Sequence, residues 1–355
     1  KHNLPGGCST SFVRGRFEFD ASLHEFCSIG SPEEWAMTGK LMMEDYKLNI
    51  NWLLVPELYR CIGTTRSGKH FDLTLPVGKQ NVIDKMEETV PGSRRPMEIF
   101  FELAEECNEA YMYFNGHIFD GVDKDGYTLI DESLFMKKYP NFLRVAEYPF
   151  NKVLRKIGMP EDAIDILNVY WTYIGMDYER LSFIHMAWMF LMYVKYKPAI
   201  CEYNAHGMTM AGIERLRELG AEVWLNVKAN KVVSDDKGNI TGVETDVGFV
   251  ETHYVIANMN PQDAYTKLLD KRIPVPEREI KRANAESHGV RFFNAYVALN
   301  KSVEELGIKD YTIFMPGSFD TKKNYEYSKS YDLNTHSVVV IYNVVNPDAS
   351  PKGTT

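Results

Sequence analysis

Hydrophobic positions along this chain repeat at two periods, and the switches between them divide it. From Ser11 to Asp20, Phe12 and Val13 precede Arg14-Gly15, and Phe17 and Phe19 then alternate with charged neighbours, which predicts a β-hairpin. From about 31 to 200 the pattern is mostly helical, with a second hairpin where His70 to Leu75 alternates and Pro76-Val77-Gly78 supplies the turn. Glu98 to Met112 sets Ile99, Phe100, Leu103 and Ala104 on one face and Glu102, Glu105 and Glu106 on another, an amphipathic helix with a solvated acidic side. Ala163 to Val194 is apolar on all sides and carries Met176, Met186, Met189 and Met192 beside Trp171 and Trp188. Such a stretch is either deeply buried or lines an apolar cavity.

Between about 201 and 258 the elements shorten. Met210, Ile213, Leu216 and Leu219 recur at helical spacing, and Gly220 stands where a helix would end. Glu222 to Asn226 is expected as a strand. Lys231 to Val233, Ile240 to Thr245 and Val250 to Ala257 follow, with turns at Asp235–Gly238 and Gly248, giving a three-stranded meander and a final apolar strand. Beyond Pro261 come a helix from Gln262 to Leu269, an alternating strand from Val290 to Leu299 and an apolar strand from Val338 to Val345. The fold class expected is mixed α/β in two discontinuous domains, residues 1–30 with 201–270 and residues 31–200 with 271–355.

Composition narrows the class. The chain has 355 residues, 45% of them apolar, with 40 basic and 49 acidic side chains for a net charge of -9. That balance repels phosphate backbones, so nucleic acid is not an expected partner. Five widely spaced cysteines without a CxxC fit a reducing compartment, and the cytoplasm is the expected location. Leu181 to Val194 has twelve apolar residues in fourteen, short of the roughly 18–20 that cross a bilayer, and no basic-then-apolar leader stands at the start. A chain that opens on Lys1 rather than Met and stops on Lys352-Gly353-Thr354-Thr355 reads as part of a longer one.

No GxGxxG, Walker loop, HExxH, GxSxG or paired metal-ligand spacing occurs in the sequence. What remains is Gly6-Gly7-Cys8-Ser9-Thr10, where glycine lets backbone approach an anion and the hydroxyls can donate to phosphate. The same Gly-Gly also serves as a plain turn. His24 could act on a substrate proton, since an ordinary imidazole titrates near neutral pH, against the plainer reading of a hydrogen-bonded structural histidine; His185, inside its apolar run, carries little functional weight.

Taken in order, Lys1 to Phe12, Arg16 to Asp20 and the helix and meander from Gly207 to Asn258 resemble the flavin-dependent carotenoid (phytoene) desaturase, carotenoid isomerase and retinol saturase superfamily. The resemblance spans nearly the whole chain, and Phe19-Asp20 followed by His24 looks closest to the retinol saturase branch. It implies an FAD-binding Rossmann-like domain with a β-meander, incomplete because the GxGxxG unit and the C-terminal flavin segment are missing, and a substrate domain of mixed sheet and helices. It implies that Gly6, Gly7, Cys8, Ser9 and Thr10 approach the flavin diphosphate and ribityl chain. Many relatives carry Arg at the position of Cys8, so a cationic phosphate contact is lost here or supplied elsewhere. By the same resemblance Ala229 contacts adenine through its backbone, Asn258 lies in the turn beside the cofactor, and Ser22, Leu23 and His24 lie near the flavin ring.

The activity implied is FAD-dependent oxidation, saturation or isomerisation at carbon–carbon bonds of an apolar isoprenoid or polyene, with NAD(P)H an additional donor if the reaction is a saturation. Hydride chemistry belongs to the cofactor, which agrees with the absence of a protein nucleophile motif. The Met-rich stretch near 163–194 would wall the substrate tunnel and touch membrane lipid peripherally. Two alternatives stand beside this: an amine-oxidase-like flavoenzyme, and a prenyl-binding carrier of the GDP-dissociation-inhibitor architecture. The Gly6-Gly7 loop with small polar followers favours the enzyme.

Overall fold

A computed structural model describes residues 4–21, 24–117, 131–286, 292–330 and 336–355. The first hairpin is present: Ser11–Arg14 pairs antiparallel with Phe17–Asp20, and Phe12 lies opposite Phe19. Gly15, at φ +60°, supplies the left-handed turn residue that a side chain would occupy only under strain.

The largest sheet runs in the order Ser337–Val340, Thr312–Met315, Glu57–Thr64, His70–Pro76, with the middle pair parallel and the outer pairs antiparallel. The turn between its last two strands is not Pro76-Val77-Gly78. It is Thr65–Lys69, where Thr65 N–H donates to the Lys69 carbonyl at 2.9 Å and Gly68 takes φ +88°. Strand Glu57–Thr64 is buried on both faces along most of its length, so it lacks the alternation that would have announced it. Gly78, at φ +92°, opens the helix Lys79–Thr89 instead.

Helix Arg94–His117 extends the expected amphipathic segment at both ends. Its Phe100 is fully buried and meets the rings of Phe101, Phe150, Phe183 and Phe190 at 5.3–6.1 Å, mostly edge-on, the geometry that aromatic quadrupoles favour. The apolar run from Ala163 to Val194 divides. Glu161–Leu167, a 3-10 turn, Trp171–Ile174 and Phe183–Tyr196 are separate pieces, and Gly175 at φ +72° ends the third. Met186, Met189 and Met192 are buried in the main core, and Met176 packs partly buried against it.

Helix Asn204–Glu218 has Gly220 at φ +81° just beyond its end. The meander forms from Ala229–Ser234, Ile240–Thr245 and Phe249–Glu251, all antiparallel. Its first turn is built by Asp235, whose carboxylate accepts from the backbone of Lys237 and Asn239 at 2.8 and 2.9 Å. Among the described residues two expected strands are missing and two are cut short. Residues 222–226, 252–257 and 292–299 lie outside any strand, and Val338–Val345 is strand only to Val340. A strand needs a paired neighbour along its length, and these three runs form no ladder: Thr252 N–H still donates to the Thr241 carbonyl at 3.3 Å, but the pairing stops there, and Asn226 at φ +58° breaks the first run. Their large apolar side chains are correspondingly open to solvent: Tyr254, Ile256 and Phe293 are 89%, 99% and 94% exposed. In place of the helix expected over Gln262 to Leu269, a short helix Pro261–Asp263 runs into a π-helical turn Ala264–Leu268, and Leu269 is extended. No described helix is long and apolar enough to cross a membrane.

Candidate functional site

The Gly6–Thr10 segment is a tight loop leading into the first hairpin. Ser9 N–H donates to the Gly6 carbonyl at 2.9 Å, and Thr209, on the helix Asn204–Glu218, donates its hydroxyl to the Ser9 carbonyl at 2.9 Å. Gly6 has φ +106°, and a Cβ there would lie 2.3 Å from the Ser9 carbonyl oxygen and 2.8 Å from Thr209 Oγ1. Nothing larger fits. Gly7 has φ +60° and faces open space. Gly6 and Gly7, with Leu4 and Pro5, line a cleft of about 200 Å³ whose other wall is Trp224, Leu225, Asn226 and Val227.

The structure therefore brings Gly6 and Gly7 against the segment that runs into Ala229, the exposed first residue of the meander. Cys8 is exposed, Thr10 is buried, and Ser9 Oγ is a buried hydroxyl without a hydrogen-bond partner. Asn258 is exposed and lies in neither helix nor strand. Ser22 and Leu23 lie outside the described residues. The FAD implied by the resemblance can be tested against these groups. An unpartnered hydroxyl beside a backbone that admits no Cβ suits the polar, phosphate-bearing part of a dinucleotide. The cleft falls below the roughly 300–1,000 Å³ of a complete small-molecule site, so these residues would hold one portion of the cofactor.

His24 belongs to a second constellation that the sequence did not announce. The Thr10 carbonyl accepts from Ala21 N–H at 2.9 Å, which ties the loop to the chain leading there. His24 Nε2 lies 2.8 Å from the Tyr173 hydroxyl, and that hydroxyl lies 3.0 Å from Glu25 Oε1. Thr312 donates to Glu25 Oε2 at 3.2 Å, and Tyr193 makes a further hydrogen bond to the same carboxyl. Tyr311 N–H donates to Glu57 Oε1 and its hydroxyl to the His24 carbonyl, each at 2.5 Å. Asp20 accepts from Ala205 N–H at 3.0 Å and bonds Tyr342.

Electrostatics follow from burial. The Glu25 side chain is 1% exposed and that of His24 26% exposed. Desolvation pushes the Glu25 carboxyl up to about 7, Asp20 up to about 6, and the His24 imidazole down to about 4. The phenols of Tyr173, Tyr193, Tyr311 and Tyr342 are all held well above their ordinary value by desolvation, so each keeps its proton at neutral pH. The cluster can hold a proton on a carboxyl where an ordinary glutamic acid could not. Glu25 and Tyr173 escaped notice because a Glu beside a His, and a Tyr in an aromatic run, carry no spacing signature; only the fold sets them together.

No protein-family model matches the chain. Over 329 residues it is 20% identical to all-trans-retinol 13,14-reductase of Danio rerio, a match covering 90% of this chain and 53% of that protein. The chain thus spans about half the length of the curated relative it matches. An oxidoreductase from Methanosarcina mazei superposes with a TM-score of 0.60 at 10% identity, covering 99% of this chain and 70% of that one. Wild-type putrescine oxidase bound to putrescine gives 0.53 at 13%, covering 88% and 63%. The fold is one that oxidoreductases use. It is a mixed α/β architecture with sheets of mixed orientation, as the sequence pattern anticipated, and the sequence similarity falls within the superfamily that the pattern resembles.

Proposed function

We propose that this protein is an FAD-dependent oxidoreductase acting on carbon–carbon single or double bonds of an apolar polyene or isoprenoid. The observation that carries the reading is the Gly6–Ser9 loop, whose Cβ-intolerant Gly6 and neighbouring Gly7 line a cleft and whose Ser9 hydroxyl is buried and unpartnered, in a chain similar along 90% of its length to a retinol reductase. In this reading Gly6, Gly7, Cys8, Ser9 and Thr10 hold the phosphate-bearing part of FAD, Ala229 and Asn258 border its adenosine, and His24 borders the flavin ring. The flavin, when bound, supplies hydride exchange. The protein binds and orients the substrate, excludes water and moves the accompanying proton. Saturation would draw on NAD(P)H as electron donor; desaturation and isomerisation would not.

The test incubates the protein, expressed with its natural ends, with conjugated polyene alcohols and carotenoids under anaerobic conditions, with and without NADPH. Polyene absorbance is followed and products are weighed by mass spectrometry. Gain or loss of a hydrogen pair, or an isomer of unchanged mass, supports the reading; unchanged polyene from a flavin-loaded protein overturns the substrate class.

A further inference from the structure

We propose that Glu25, Tyr173 and His24 form a proton relay, in which the buried Glu25 carboxyl stores a proton and passes it through the Tyr173 hydroxyl to the His24 ring at the more open end. Two hydrogen-bond distances in series, 2.8 Å from His24 Nε2 to the Tyr173 oxygen and 3.0 Å from there to Glu25 Oε1, make the chain continuous. Exposure gives it a direction, since Glu25 is sealed and His24 is 26% open.

Each polarity of the chain is a chemically complete state. In one, the Glu25 acid donates to Tyr173, Tyr173 donates to His24 Nε2, and His24 carries its proton on Nδ1. When Nδ1 gives up that proton, Nε2 takes one from Tyr173, Tyr173 takes one from Glu25, and a carboxylate remains. The ring is neutral before and after, so no imidazolium forms in a site that disfavours it. A proton entering at Nδ1 drives the chain back.

Glu25 is surrounded by groups that tolerate both states. Tyr173 and Tyr193 reach it from the helices Trp171–Ile174 and Phe183–Tyr196, and Thr312 from the central strand. Glu57, on the neighbouring strand, is a carboxylate that repels its charge. Tyr170, Tyr311, Tyr342 and Cys27, whose thiol burial pushes up to about 12, remain protonated and neutral.

The use of this proton rests on the oxidoreductase reading above. Saturating a C=C bond breaks one π bond and forms two C–H bonds. A reduced flavin would give the hydride with its electron pair and be oxidised, and the relay would give the proton through His24. Desaturation is the reverse, with the proton accepted at His24. Glu25 and Tyr173 are positioning residues, acting only through that ring.

Infrared spectroscopy on the full chain tests the relay without cofactor or substrate. A protonated-carboxyl carbonyl band that disappears in E25Q, as distinct from the Asp20 band that stays, should titrate around neutrality. Deuterium exchange of the Glu25 proton should slow by about 100-fold in Y173F and in H24Q, at the low end of what a positioned proton carrier contributes. Y173F removes one hydroxyl from a packed ring, and H24Q gives an independent reading if that variant does not fold. Exchange as fast as wild type in either folded variant, or no E25Q-sensitive band at pH 6, overturns the relay. Such a failure leaves the oxidoreductase reading standing, and absence of flavin from the protein would overturn that reading but not the relay.

Discussion

Replacing Glu25 by Gln should reveal a pH dependence of stability that the wild-type protein hides. Burial raises the Glu25 carboxyl from the ordinary 4.5 to about 7, so its contribution to stability is fully present below 4.5 and is lost as pH rises through 7. At about 1.4 kcal/mol per pH unit, that loss is about 3 kcal/mol. Burial lowers His24 from the ordinary 6.5 to about 4, so its contribution is present above 6.5 and is lost, again by about 3 kcal/mol, as pH falls through 4. Between pH 4.5 and 6.5 the two oppose each other nearly in full. Folding at those pH values in effect moves one proton from His24 to Glu25, and net proton uptake by the pair is close to zero. Asp20 and His336, raised to about 6 and lowered to about 4, form a background common to every variant. Urea unfolding in steps from pH 4 to 7.5 should therefore show E25Q gaining about 3 kcal/mol on wild type as pH rises, since only the His24 slope remains. H24Q should lose about the same advantage over that range. Curves for E25Q and H24Q that run parallel to wild type would refute both the shifts and the burial that causes them.

Other perturbations have equally definite outcomes. Phe100→Ala removes a fully buried ring among four others and should destabilise by about 3–5 kcal/mol, read as a lower urea midpoint with an unchanged slope. Arg66→Ala strands the Asp165 carboxylate, 0% exposed and held by Arg66 at 2.6 Å, and should cost about 3–5 kcal/mol, whereas removing Lys85 from its exposed pair with Glu88 should change stability by no more than about 1 kcal/mol. Gly6→Ala places a Cβ 2.3 Å from the Ser9 carbonyl at φ +106°, and should weaken FAD binding by about tenfold or more in a fluorescence titration. Gly7→Ala, facing open space, should weaken it less.

The local elements were the legible part of the sequence. Arg14-Gly15, the apolar stripe around Phe100, Gly220 after its helix and the Asp235 turn each carry their own signal within a few residues. What depended on partners distant in the chain was misread. Strand Glu57–Thr64 is buried on both faces and shows no alternation, while 222–226, 252–257 and 292–299 carry strand-like patterns but form no ladder. The greasy run from Ala163 to Val194 predicted burial correctly but hid three breaks. At the site, the Gly6-Gly7 loop and His24 could be picked out by residue type. Glu25 could not, because its carboxyl is raised by burial that only the fold creates, and two of the hydroxyls that bond it, on Tyr173 and Thr312, stand 148 and 287 residues away. Composition sees 21 tyrosines; only the fold gathers several of them around one acid.

The central claim, that the Gly6–Ser9 loop serves a flavin, is tested most directly by the visible absorption spectrum of the protein expressed with its natural ends, beside its Gly6→Ala variant. An oxidised-flavin band is expected in the wild type, retained through gel filtration and diminished in the variant. A wild-type protein that shows no such band even after reconstitution with FAD would contradict that claim and leave the apolar-ligand carrier as the better reading.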